Sequence, residues 1–197
     1  MQERFSTKAI AVIIFGSIII GGIVLYSSFS SFIYPSIAVN SVDEAKETVD
    51  QYIPSLGSNL RVREIMEFSN HFYVMVQEKD TGINALELLV DKGTGKLSYE
   101  PGPNMMWNTK YGHMGQRSDP TALMPVGENE ALEHAQNWLD RNHPSARVEE
   151  AEKFYGYYTM DVSKDGNTYG MLSVNGYTGD VWYHTWHGSF IRMAEYD

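Results

Sequence analysis

Two stretches of the chain pass from a helical to a two-residue hydrophobic period in the same order. Val42, Ala45, Val49, Tyr52 and Ile53 recur at helical spacing behind a Ser41/Glu44 capping box, which predicts an amphipathic helix of about three turns. Ala131, Leu132, Ala135, Trp138 and Leu139 form the equivalent stripe, and Pro54 or Pro144 lies beyond each helix. The period then changes to two. Residues 71–78 (HFYVMVQE) and 157–162 (YYTMDV) alternate, with Phe72, Val74 and Val76 facing the core in the first and Tyr158, Met160 and Val162 in the second. Leu86, Leu88 and Val90 continue the first pattern, and Leu172 and Val174 the second.

The parallel extends to a register. DEAKETVDQYI (43–53) aligns with NEALEHAQNWL (129–139) at an offset of 86 residues, which also pairs Arg61-Val62 with Arg147-Val148, Glu64 with Glu150 and Phe68 with Phe154. After a two-residue deletion, DKGTGKLSY (91–99) meets NGYTGDVWY (175–183), each supplying a turn before a last strand. The expected fold class is α+β: two repeated units, each a helix covering one face of three or four antiparallel strands. A lone unit of this size buries little apolar surface, so the two copies should pack together. The division this suggests is 1–35, 36–99, 100–127 and 128–197.

The first segment reads as a membrane anchor. Ala9 to Tyr26 is an unbroken run of apolar, Gly and Ser residues, and no charge occurs from Ala9 to Val42. Eighteen residues at ~1.5 Å each reach about 27 Å, just enough for a hydrocarbon core. Tyr26, Phe29, Phe32 and Tyr34 follow as an interfacial aromatic belt. Arg4 and Lys8 precede the run, whereas Asp43 and Glu44 are the first charges after it, which orients the N-terminus to the cytoplasm and residues 36–197 outward. A signal peptide cleaved near Ser36-Ile37-Ala38 is the competing reading; the apolar run exceeds the usual ~7–15 residues of such a peptide. The partners expected are therefore the membrane, through Ala9 to Tyr26, and another membrane or envelope protein.

Charge and composition narrow the function. The 197 residues carry 25 acidic against 15 basic side chains, a net charge of -10 that repels a phosphate backbone, so nucleic acid is not an expected partner. The absence of cysteine removes disulfides, thiolate metal sites and cysteine nucleophiles. The sequence contains no HExxH, GxSxG or GxGxxG, and Gly93-Thr94-Gly95-Lys96 lacks the flanking Gly and Ser/Thr of a phosphate loop. No catalytic residue and no enzyme activity are expected.

The order of an acidic helix with an EA start, a first strand like ARVEEAE, a second like YTMDVSKDG and a closing VNGYTGDVW hairpin resembles the PepSY domain in both units. The resemblance covers roughly 42–99 and 128–186. It implies a binding module rather than an enzyme: PepSY units occur in pro-regions of secreted thermolysin-like metallopeptidases and in membrane-anchored proteins that control envelope hydrolases. The expected function is a single-pass, extracytoplasmic accessory or regulatory subunit of a membrane or envelope complex. Direct protease inhibition is an alternative that follows from the resemblance alone.

Residues 100–127 form a connection far longer than the common ~2–6 residues and hold seven Met, Trp, Tyr or His side chains, so they should be pinned against the body of the protein. Met105, Met106, Trp107 and their neighbours can seal the groove between the units. Trp107, Tyr111, Trp182, Tyr183 and Trp186 are candidate partner anchors. No cofactor is expected beyond possible copper. Met105, Met106, His113 and Met114, joined by His184 and His187, would offer thioether and imidazole ligands suited to Cu(I), which makes a copper-handling or redox-accessory role the other alternative. Against it, His184 and His187 on one strand should point to opposite faces. His134 and His143 are expected in solvent, and His71 is expected to pack beside Tyr73 and Met75.

Overall fold

The computed structural model describes residues 38–114, 119 and 122–196. The run Ala9 to Tyr26 lies outside them. Among the described residues no helix is long and apolar enough to cross a membrane. Residues 37–197 make one compact unit.

The first helix, α1 (Val42–Tyr52), begins as the sequence indicates: Glu44 N–H donates to Ser41 Oγ at 3.2 Å, and the Glu44 carboxylate accepts from Asn40 N–H at 2.8 Å. A short 3-10 turn, Ile53–Ser55, carries Pro54. Four strands follow, β1 (Leu60–Phe68), β2 (His71–Glu78), β3 (Asn84–Asp91) and β4 (Leu97–Tyr99). After a one-turn helix, α2 (Pro103–Met106), the pattern recurs with α3 (Glu128–Asn142), β5 (Ala146–Arg147), β6 (Glu152–Lys153), β7 (Tyr157–Lys164), β8 (Asn167–Asn175) and β9 (Val181–Tyr183). β7 repeats the limits of β2 at the 86-residue offset, from 71 to 157 and from 78 to 164. The last strand, β10 (Phe190–Glu195), returns to the first sheet.

All pairings within the sheets are antiparallel. The first sheet runs β10-β1-β2-β3-β4; the second runs β5-β7-β8-β9, with β6 also on β7. Each helix covers the outer face of its own sheet. Val42, Ala45 and Val49 pack on Ile65, Phe72, Val74, Val76, Leu86, Leu88 and Val90, and Ala131, Ala135 and Leu139 pack on Tyr158, Met160, Val162, Leu172 and Val174. These are the faces that the alternation marks as core.

The opposite faces are buried as well. Met66, Phe68, Tyr73 and Met75 of the first sheet meet Phe154, Tyr157 and Met171 of the second in a shared cluster. The sheets therefore pack face to face between two outer helices, and every residue of β2 is buried. Each large side chain withdrawn this way contributes roughly 1.5–3 kcal/mol. Two further contacts join the sheets: an isolated parallel bridge between Asn84 and Phe154, and a hydrogen bond from Asn84 Nδ2 to Glu152 Oε2 at 2.8 Å.

The long connection is pinned by its polar residues. β4 pairs with β3 at Leu88–Val90 and Glu100 N–H donates to Glu87 C=O just beyond, which leaves Glu87 N–H and the Ala85 carbonyl without a strand partner. Asn104 fills the gap, accepting from Glu87 N–H at 3.1 Å and donating to Glu87 C=O at 2.8 Å, while Asn108 donates to Ala85 C=O at 2.7 Å. Both asparagines are fully buried, so their amides replace the missing strand partner. Farther along, Glu78 Oε1 accepts from Lys110 Nζ and Tyr111 OH, and Glu78 Oε2 accepts from Thr81 Oγ1 and, across the interface, from Tyr155 OH at 2.7 Å.

Gly156 lets this connection close. Its φ is +97°, and a Cβ there would stand 2.3 Å from Trp107 C=O. Gly166 has a similar φ of +79° with nothing within 4 Å of its Cβ position. The change Gly156→Ala should cost clearly more than Gly166→Ala, which pays only the backbone strain of about 1–3 kcal/mol. Denaturant unfolding of the two variants checks this; equal losses would mean that the approach of Trp107 to Gly156 is unimportant.

Candidate functional site

Where the inner faces meet, the core is not wholly apolar. Glu87 of β3 is fully buried and accepts three hydroxyls: Tyr73 OH at 2.8 Å and Thr159 Oγ1 at 2.8 Å on Oε1, and Tyr157 OH at 2.7 Å on Oε2. One donor comes from the first sheet and two from the second. Burial drives the Glu87 carboxyl well above its ordinary value, and the nearby Glu100 adds to this, while the hydroxyls oppose it. Burial likewise raises the Tyr73 and Tyr157 phenols.

A second polar group adjoins the first. Ser173 Oγ lies 2.9 Å from Thr159 Oγ1 and 3.0 Å from His184 Nε2. On its other side, His184 Nδ1 faces Glu100 Oε1 at 3.5 Å; His187 Nε2 is 3.1 Å from the same oxygen and 3.4 Å from His184 Nδ1. His187 Nδ1 is 2.7 Å from His71 Nε2. Trp186 stacks on the His184 ring at 4.6 Å and donates its indole N–H to Glu100 Oε1 at 3.1 Å. The side chains of Glu100, His184 and His187 are at most 2% exposed. Burial alone would raise the Glu100 carboxyl, but His184 and His187 hold it below the usual carboxylate range. Burial, then the neighbouring His187, pushes His71 down to about 4. Burial also lowers His187, against the pull of Glu100.

Neighbouring backbone explains this convergence. β9 ends at Tyr183, and residues 184–189 are irregular, so His184 and His187 escape strand alternation and turn toward each other. The expectation that they point to opposite faces fails for this reason. His71 packs against Phe68 and, beyond simple packing, is bonded to His187. His143 is not merely solvated: it stacks on Tyr183 at 4.5 Å and on Trp138 at 5.5 Å. His134 stays at the surface beside Glu130.

The other candidate residues are dispersed. Trp107 meets Trp182 edge to face at 5.8 Å, and Trp182 is 37% exposed. Tyr111 donates to Glu78, and Tyr183 is stacked as described. His113 rests on Tyr99 at 5.0 Å; Met114 is 73% and Met106 43% exposed, and Met105 accepts the Met114 N–H through its carbonyl. Glu100 and Ser173 are not singled out by sequence, and His71 is expected there only to pack. Glu100 stands at the head of a loop whose Met and Trp residues draw attention away from it, and Ser173 has no local signal.

A separate cleft opens at one edge of the interface. In the first sheet β1 is continuous and covered by β10, whereas its counterpart is broken into β5 and β6. The gap leaves a cavity of about 270 Å³ lined by Glu64, Glu149, Glu150, Glu152, Asp161 and Glu195, with Met75, Met171 and Met193 among its apolar walls. Burial, then Asp161, raises Glu64 to about 8; burial, then Glu152, raises Asp161 to about 6. Ile191 and Met193 of β10, 52% and 38% exposed, extend this wall outward.

No protein-family model matches the chain. No curated protein matches it. Among solved structures, the chain is similar to the Bacillus megaterium YpeB C-terminal domain at 11% identity and a TM-score of 0.29, over 77% of this chain and 63% of that domain. The chain thus spans less than two thirds of that domain's length.

Proposed function

We propose that this protein is a non-catalytic binding module of PepSY-like architecture, held at the membrane by Ala9 to Tyr26 with residues 36–197 outside the cytoplasm. It serves as an accessory or regulatory subunit by receiving a cationic segment of another membrane or envelope protein. The observation that carries the reading is the inter-sheet cleft, where six carboxylates surround a methionine-lined hollow beside an edge strand.

The chemistry of the cleft selects its occupant. Burial raises the Glu64 carboxyl and the neighbouring carboxylates, Asp161 first, raise it further; a Lys or Arg side chain entering the hollow would relieve that repulsion. The aliphatic stem of such a side chain suits the flexible, polarisable methionines around it. β10 pairs with β1 on one side and is the last strand of its sheet, so its outer backbone edge can pair with an extended segment. The direction of charge also fits a net charge of -10 on the whole chain.

A photo-crosslinking residue placed at Met193 in the full-length protein, in its own membrane, tests this. The expected result is an adduct with a specific membrane or envelope protein that weakens with added salt and is lost when Glu64 and Glu150 are changed to Lys. Adducts that are absent, or indifferent to both salt and charge reversal, would contradict the cleft as the binding site.

The same carboxylates set a pH dependence. Glu64 keeps its proton up to about pH 8 when folded but only to its ordinary 4.5 when unfolded. Folding therefore takes up a proton between these values, and the folded state loses relative stability as pH rises through that window. Thermal unfolding should show a falling midpoint from pH 6.5 to pH 8.5, above the range in which the lowered His71 and His187 act in the opposite sense. In Glu64→Gln the fall should be shallower and the midpoint at pH 8.5 higher than in the unchanged protein; parallel curves would contradict the protonation of Glu64.

A further inference from the structure

We infer that Glu100, His184 and His187 form a binding site for one divalent transition-metal ion of the zinc class, which clips the two sheets together. This goes beyond the binding role of the cleft and does not depend on it.

The first ground is geometric. Glu100 Oε1, His184 Nδ1 and His187 Nε2 are separated from one another by 3.5, 3.1 and 3.4 Å. Zinc bonds nitrogen and carboxylate oxygen at about 2.0–2.2 Å, so two ligands of a zinc tetrahedron stand about 3.3–3.5 Å apart. Two of the three separations match that spacing and the third, 3.1 Å between Glu100 and His187, is a few tenths of an ångström shorter, with all three side chains at most 2% exposed.

The second ground is an unmet need. Glu100 Oε2 is buried without any hydrogen-bond partner, in a carboxylate group that is itself wholly buried. A buried carboxylate with one oxygen left this way is under-compensated, and a cation bound at Oε1 would offset the charge that the two oxygens share.

The third ground lies in the outer contacts. Each imidazole has its far nitrogen engaged by a fixed partner: His184 Nε2 by Ser173 Oγ, and His187 Nδ1 by His71 Nε2. Metal-binding histidines are oriented this way, with the far N–H donated outward and the near lone pair presented to the ion. The outward chain can accept that proton direction throughout. His184 Nε2–H donates to Ser173, Ser173 to Thr159, and Thr159 to Glu87. His187 Nδ1–H donates to His71. Both near nitrogens are then unprotonated beside Glu100 Oε1, an arrangement that a positive ion stabilises.

Two imidazole nitrogens and one carboxylate oxygen suit zinc and its neighbours rather than the thioether-seeking Cu(I). Met114 stands in solvent, whereas the side chains of the three ligands are at most 2% exposed. Glu100 follows β4 of the first sheet and His184 follows β9 of the second, so one ion ties the ends of both sheets, beneath the stacked Trp186. A structural ion in such a place adds its binding free energy to folding.

The test uses the full-length chain in detergent micelles, stripped with a chelator and then dialysed against Zn²⁺. The expected results are one zinc per chain by elemental analysis, a raised unfolding temperature, and a tetrahedral ligand-field spectrum when Co²⁺ replaces zinc. His187→Gln and Glu100→Gln should lose the ion, Ser173→Ala should weaken binding about tenfold to a hundredfold, and Glu64→Gln in the cleft should retain it. The proposal is overturned if the unchanged chain takes up no zinc. It is also overturned if folded His187→Gln keeps the ion, or if loss instead follows the joint change of Met105, Met106, His113 and Met114. Should the ligand variants fail to fold, the Co²⁺ spectrum of the unchanged chain decides, and an octahedral, carboxylate-type spectrum counts against the site.

Discussion

Two sheets that are each covered outside by a helix can bury their remaining faces only against one another, and this mutual burial organises the molecule. The interface is held at its centre by Glu87, whose two oxygens take hydroxyl donors from both sheets. An ionisable group with no solvent contact is tolerable only if its bonding capacity is met, so Tyr73, Tyr157 and Thr159 are constrained as tightly as the carboxylate. Such a layer adds direction to an otherwise apolar contact. A one-residue slip of β2 or β7 within its own sheet would replace these donors with the opposite-face side chains Phe72, Tyr158 and Met160, most of which cannot donate.

Interruptions of the two sheets mark where the two candidate regions lie. Glu100, His184, His187 and His71 form at the end where β4 and β9 run out, because irregular chain there can turn several side chains to a common point. The acidic cleft forms at the opposite kind of defect, where the counterpart of β1 breaks at 148–151 and the return of β10 widens the first sheet beyond its cover. Regular pairing makes the scaffold, and its two interruptions make the concave or convergent features. The connection through Asn104, Asn108 and Lys110 holds both halves in register by bonding to β3 and Glu78.

Much of the fold was legible in residue order. Helical stripes such as Val42/Ala45/Val49 and Ala131/Ala135/Leu139 mark the outer layers, and the alternation in 71–78 gives β2 its limits. The inner faces were harder to read, because the residues on them include Tyr73 and Glu87 of the first sheet and Thr159 and Ser173 of the second, which look like solvent-facing positions in a one-sided sheet. The site was legible only in part. His184 and His187 stand out, yet strand periodicity argued against their meeting, and no local pattern links them to Glu100 across 84 residues or to His71 across 113. Such convergence depends on the long-range packing of the two sheets. The methionines and tryptophans of 100–127 are conspicuous in sequence, whereas the side chains that anchor this segment are its asparagines.

The central claim, that the sheets share one buried polar layer, is tested most directly by a double-mutant cycle in urea unfolding with Tyr73→Phe and Tyr157→Phe. Both phenols donate to Glu87, one from each sheet. The expected result is that the double change differs from the sum of the single ones by about 1 kcal/mol, as groups in one network do. Losses that add to within about 0.3 kcal/mol would show two independent sites and contradict the shared layer.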